Sequence, residues 1–66
     1  MKGKVKWFSN AKGYGFIVEE GKGRDVYVHF TDIKMNGFKS LTENQQVNFE
    51  IIDTERGLAA KEVFVS

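Results

Sequence analysis

Lys6-Trp7-Phe8, Lys12-Gly13-Tyr14-Gly15-Phe16, Tyr27-Val28-His29-Phe30, Phe38-Lys39 and Arg56 alternate cations with rings along a chain of 66 residues. Flat rings suit flat partners. Exposed aromatic side chains stack nucleic-acid bases at about 1–3 kcal/mol per base with little regard for base identity, and flanking cations neutralise phosphates. A duplex hides its base faces, so this chemistry is addressed to single strands. Two other readings stay open on the residues alone. Asp25 and His29 fall on one strand face and could serve a small nuclease, but hydrolysis normally calls for a second acid–base group or a metal cluster, and neither is apparent. An exposed apolar patch could instead receive a protein partner. Gly13 and Gly15 are too few and wrongly spaced for a phosphate-cradling loop, and read as turn formation and close strand packing. With no Cys and one His, the chain offers no evident metal centre or cofactor site.

Rings serve this purpose only if the fold holds them outside. No segment carries a sustained helical period; short β-rich runs alternate with turn residues, the all-β pattern. Five strands are expected: Lys2 to Ser9, Tyr14 to Glu19, Asp25 to His29, Gln46 to Asp53, and about Leu58 to Val65. Between the third and fourth lies an irregular stretch, about Thr31 to Gln45. Five short strands with no covering helix must close on themselves to hide a core and their edges, and a small barrel does so.

Side chains alternate along a strand. Ile17, Val26, Val28, Val47, Phe49 and Ile51 then share an inside with Val5 and Val63. The opposite face of the second and third strands carries Tyr14, Phe16, Tyr27 and His29, together on the outside if the two strands pair. Reversing inside and outside would crowd these rings into a small interior and bury Asp25 and His29 at a cost without partners. Trp7 and Phe8 are adjacent and cannot both face outward in a regular strand, so a bend or bulge is expected there.

A chain this short buries only about 60% of its unfolded surface and holds one domain. Lacking disulfide and metal, it must rest on apolar packing and backbone pairing. Net charge is only +1, but it is unevenly spread. Residues 1–18 carry four lysines and no acid, a charge of +4, and residues 19–66 carry six bases and nine acids, a charge of −3. A local electropositive patch follows. The acids Glu43, Glu50, Glu55 and Glu62 read as a solvated face. No apolar h-region stands behind the N-terminal lysines and no apolar run approaches bilayer length, so a soluble, cytoplasmic protein with no membrane partner is expected.

Lys12-Gly13-Tyr14-Gly15-Phe16-Ile17 resembles the first ribonucleoprotein motif, basic-Gly-aromatic-Gly-aromatic-aliphatic. Val26-Tyr27-Val28-His29-Phe30 resembles the second. In RNA-recognition-motif domains the second motif precedes the first and two helices pack behind the sheet; here the order is reversed and helices are missing. With the opening Gly3-Lys4-Val5-Lys6-Trp7-Phe8 and the segment Gly37-Phe38-Lys39, the chain resembles, end to end, the cold-shock domain, a small OB-fold barrel. That resemblance implies an all-β, five-stranded antiparallel Greek-key barrel spanning residues 1–66. It implies stacking platforms at Trp7, Tyr14, Phe16, Tyr27, His29, Phe30 and Phe38. Lys6, Lys12 and Arg56 become cations for the strand backbone or base edges, and Asp25 an acceptor for a base edge. Phe8 matches a family aromatic shared with the core. The expected partner is single-stranded RNA or DNA, bound with low sequence specificity by a monomeric RNA chaperone that is not an enzyme and uses no small-molecule substrate. Two departures stand out: Gly57-Leu58-Ala59 replaces the family's usual Gly-Pro-Gln, and Tyr occupies positions 14 and 27, where Phe is common.

Overall fold

A computed structural model describes residues 1–35, 37 and 39–65. It contains β1 (Lys2–Ser9), β2 (Tyr14–Glu19), β3 (Asp25–His29), a single 3-10 turn (Phe30–Asp32), β4 (Gln46–Thr54) and β5 (Gly57–Val65). The strands close into a barrel in the order β1-β2-β3-β5-β4. Pairing is antiparallel except at the closing seam, where β3 meets β5 in parallel with Tyr27 opposite Ala59. The seam is parallel because the long connection after β3 carries the chain across the barrel before β4 and β5 form their hairpin. Among the described residues no helix is long and apolar enough to cross a membrane.

Strand alternation fills the interior. Val5, Ile17, Val26, Val28, Val47, Phe49 and Val63 are buried, as their parity predicts. Ile51 is only half-buried and packs against this core from its margin. Ile33, Leu41 and Ala60 complete the buried cluster. Ile33 is held there by a parallel bridge to Val63, and the next residue's N–H, on Lys34, donates to the Val63 carbonyl at 2.7 Å. The irregular connection thus closes one end of the barrel.

Two irregularities break the ladders. In β1 the register against β2 shifts between Val5, opposite Ile17, and Trp7, opposite Phe16, so Lys6 is an extra residue. The turn before β4 backs Val5 on its other side: its N–H donates to the Gln45 carbonyl at 3.0 Å, and its carbonyl accepts from the Asn44 N–H at 2.7 Å. The second shift lies between Asn48 and Glu50, where β5 carries the extra residue and Glu62 takes a left-handed φ of 53°. The β2–β3 turn is pinned by Arg24, whose Nε donates to Glu19 Oε1 at 2.7 Å. That hydrogen bond holds the Glu19 carboxyl below the usual carboxylate range, with the guanidinium charge adding to it and burial opposing it.

Candidate nucleic-acid interface

The interface is built on β1, β2 and β3, and the register does the positioning. Trp7 lies opposite Phe16, and Phe16 lies opposite Tyr27, so one row of rings crosses three strands. Tyr14 lies opposite His29 in the next outward row. The extra residue at Lys6 gives Lys6 and Trp7 the same outward face and returns Phe8 to the inside, half-buried against the core. The irregularity expected near Trp7 and Phe8 therefore falls just ahead of them.

The rings touch one another in a closed circuit. Trp7 meets Tyr14 and Phe16 with centroids 5.6 Å apart in each pair, one contact edge-on and the other tilted. Tyr27 meets Tyr14 at 5.8 Å and Phe16 at 5.9 Å. Such contacts add about 0.5–1.5 kcal/mol each beyond area burial and fix the ring planes relative to one another. The circuit stays open to solvent: Trp7 is 38% exposed and Tyr27 37%, although each touches two other rings.

His29 and Phe30 extend the surface, with centroids 4.8 Å apart. His29 caps the 3-10 turn: its Nδ1 accepts from the Thr31 N–H at 3.4 Å and lies 2.9 Å from the Thr31 hydroxyl. A ring nitrogen that accepts from a backbone N–H is the unprotonated one, so the neutral ring carries its proton on Nε2, away from Thr31. Phe30 is seated by Gly13, whose carbonyl accepts the Phe30 N–H at 2.8 Å. A Cβ at Gly13 would come within 2.7 Å of the Phe30 ring, and the residue has a φ of +77°. Gly15 serves the other end of the hairpin. A Cβ there would press on the Trp7 carbonyl and come within 2.7 Å of Phe8 Cα, so the close approach of β1 to β2 under the rings needs glycine.

Charged groups stand at the rim. Lys6 Nζ and Asp25 Oδ2 form an exposed ion pair at 3.3 Å beside the ring row. A pair of this exposure contributes little to stability and opens readily to a competing ligand. Lys12 borders a groove with Phe30 and Lys39, and Arg56 borders a second hollow with Phe16, Asp25, Tyr27 and Leu58. Neither Lys12 nor Arg56 has an acidic partner among the described residues. The Arg56 hairpin is shaped by Thr54, whose hydroxyl donates to the Gly57 carbonyl at 2.8 Å and accepts the Arg56 N–H at 3.2 Å.

Of the residues singled out from the sequence, Lys6, Trp7, Lys12, Tyr14, Phe16, Asp25, Tyr27, His29, Phe30 and Arg56 lie on or around one continuous surface. Phe8 lies beneath it, and Phe38 falls outside the described residues. Sequence reasoning missed Thr31, which orients His29; Leu58 and Ala59, the departure from Gly-Pro-Gln, line the hollow beside Arg56. Thr31 carries a weak signal, a hydroxyl residue entering a turn. No group of three or more His, Cys, Asp or Glu among the described residues could hold a metal ion.

The chain has clear relatives. The family model of the 'Cold-shock' DNA-binding domain matches residues 1–66. Cold shock protein CspB of Geobacillus stearothermophilus is 61% identical over 63 residues, covering 96% of this chain and 94% of that protein. Cold shock-like protein CspC of Escherichia coli is 52% identical, covering 96% and 91%. The solved structure of drosophila Unr CSD456 shares the fold, with a TM-score of 0.79 at 22% identity over 98% of this chain and 26% of that one. The family-model match over residues 1–66, with these proteins 52–61% identical over nearly the whole chain, places it in the cold-shock family of nucleic-acid-binding domains.

Proposed function

We propose that this chain binds single-stranded RNA or DNA by stacking successive bases on Trp7, Tyr14, Phe16, Tyr27, His29 and Phe30. Lys6, Lys12 and Arg56 would attend the phosphates, and Asp25 would accept from a base edge. The observation that carries this reading is the ring circuit outside a barrel whose interior is already filled by aliphatic side chains and Phe49. The rings are not needed to complete the core, and their exposed faces match unstacked bases. Occupying those faces removes bases from pairing, so the chain acts as an RNA chaperone that melts or blocks weak secondary structure. The activity we propose is binding rather than turnover, since hydrolysis by Asp25 and His29 would call for a second acid–base group or a metal cluster. A cytoplasmic monomer fits this role.

Trp7 fluorescence supplies the test. Titration with a single-stranded oligonucleotide is expected to quench Trp7 strongly, and its perfectly matched duplex to bind far more weakly. Equal affinity for the two would rule out stacking as the mechanism. Rising salt should weaken binding with a shallow slope, because few cations border the rings.

A further inference from the structure

We infer that the Tyr14 and Tyr27 hydroxyls make this surface favour RNA over DNA of the same sequence, by hydrogen bonding to ribose 2′-hydroxyls; the inference rests on the stacking reading above. The polar groups around the ring circuit are mostly committed. His29 Nδ1 is held by Thr31 and the Thr54 hydroxyl by the hairpin backbone, while Asp25 faces Lys6 in an exposed pair already assigned to a base edge and a phosphate. Tyr27 is exposed, the half-buried Tyr14 keeps its hydroxyl accessible, and the two phenol hydroxyls have no hydrogen-bond partner among the described residues. They also belong to neighbouring rings, with centroids 5.8 Å apart and planes inclined by 31°. That spacing suits two consecutive stacked nucleotides.

A phenol hydroxyl sits at the end of its ring farthest from the backbone. When a base covers the ring face, that end meets the base perimeter, where the sugar is attached. A ribose offers there a 2′-hydroxyl that both donates and accepts, and this group is what distinguishes RNA from DNA at a given site. A phenol hydroxyl also donates and accepts, so the two groups pair in either direction. Deoxyribose leaves the phenol hydrated, which costs nothing, so selectivity arises as a gain for RNA. One such hydrogen bond corresponds to about a threefold to tenfold gain in affinity.

The test compares oligouridylate with oligodeoxyuridylate of equal length, which differ only at the 2′ position and exclude any effect of the thymine methyl. Binding is read from Trp7 quenching for the intact chain, Y14F, Y27F and the double variant, with circular dichroism to confirm the fold. The intact chain is expected to bind the ribose strand about tenfold more tightly or better. Each single variant should cut that ratio by about threefold, and the double variant should bring it close to one. A ratio near one in the intact chain, an unchanged ratio in the double variant, or equal losses on both strands would overturn the inference while leaving stacking intact. Failure of both strands to quench Trp7 would instead overturn the stacking reading, and this inference with it.

Discussion

Along β2 and β3 the outward positions are Tyr14, Phe16, Asp25, Tyr27 and His29; along β4 and β5 they include Gln46, Asn48, Glu50, Ile52, Lys61 and Phe64. Both faces cover the same aliphatic interior and obey the same alternation. On the first, Tyr14, Phe16 and Tyr27 close a four-ring circuit with Trp7 of β1. On the second, Phe64 is 50% exposed and Ile52 39%, but Phe64 lies opposite Asn48 and Ile52 opposite Ala59, with no other ring in contact with Phe64 among the described residues. Single exposed apolar residues are ordinary on protein surfaces, whereas interlocked exposed rings flanked by cations are not. The contrast sets the proposed binding face apart through connectivity rather than exposure alone.

The comparison can be broken first at two neighbouring residues of β2. Ile17→Ala removes a fully buried side chain and should lower the unfolding free energy by about 2–5 kcal/mol, measured by urea denaturation. The folded fraction should keep its oligonucleotide affinity. Phe16→Ala, one residue earlier, should do the reverse: a loss of about 1–3 kcal/mol in single-strand affinity, read from the anisotropy of a labelled oligonucleotide, with the fold retained. A Phe16→Ala chain that unfolds would mean that the rings support the core.

A smaller effect separates the β2–β3 turn from the interface. Arg24 lowers the Glu19 pKa in the folded chain, so this pair stabilises the fold fully above the unfolded carboxyl's pKa. The contribution disappears as pH falls through the depressed folded value. Glu19→Gln should therefore flatten the acid limb of stability against pH, followed by thermal melts, and leave oligonucleotide affinity unchanged at neutral pH. Smallest of all, Phe64→Ala on the opposite face should alter single-strand affinity by less than about 0.5 kcal/mol. A loss comparable to that of Phe16→Ala would extend the working surface around the barrel.

Strand parity was legible because alternation is a local property. Val5, Ile17, Val26, Val28, Val47, Phe49 and Val63 could be assigned inward, and Tyr14, Phe16 and Tyr27 outward, before any pairing was known. Ile33 and Leu41 escaped the same reasoning: they lie in the stretch between β3 and β4, where no period marks a face and only the bridge to Val63 shows how Ile33 reaches the core. Ile51 followed its parity but lies toward the hairpin end of β4, where closure of the barrel weakens. The parallel seam between β3 and β5 was not legible either, since it depends on where the long connection delivers the chain. Thr31 acquires its role only once the 3-10 turn sets it beside His29.

The extra residue at Lys6 has a consequence for how this segment tolerates change. It works as a phase shift: upstream of it the chain counts inward positions on one parity, and downstream on the other. A substitution at Lys6 alters a side chain but keeps the count. Deleting Lys6 would leave an uninterrupted ladder with Val5 inward, Trp7 outward and Phe8 inward, whereas laying β1 in that ladder with Lys6 kept would send Trp7 toward the interior and Phe8 into water. The β1 segment should therefore accept many substitutions at position 6, because the count of residues against β2 and not the side chain there sets which way Trp7 and Phe8 face.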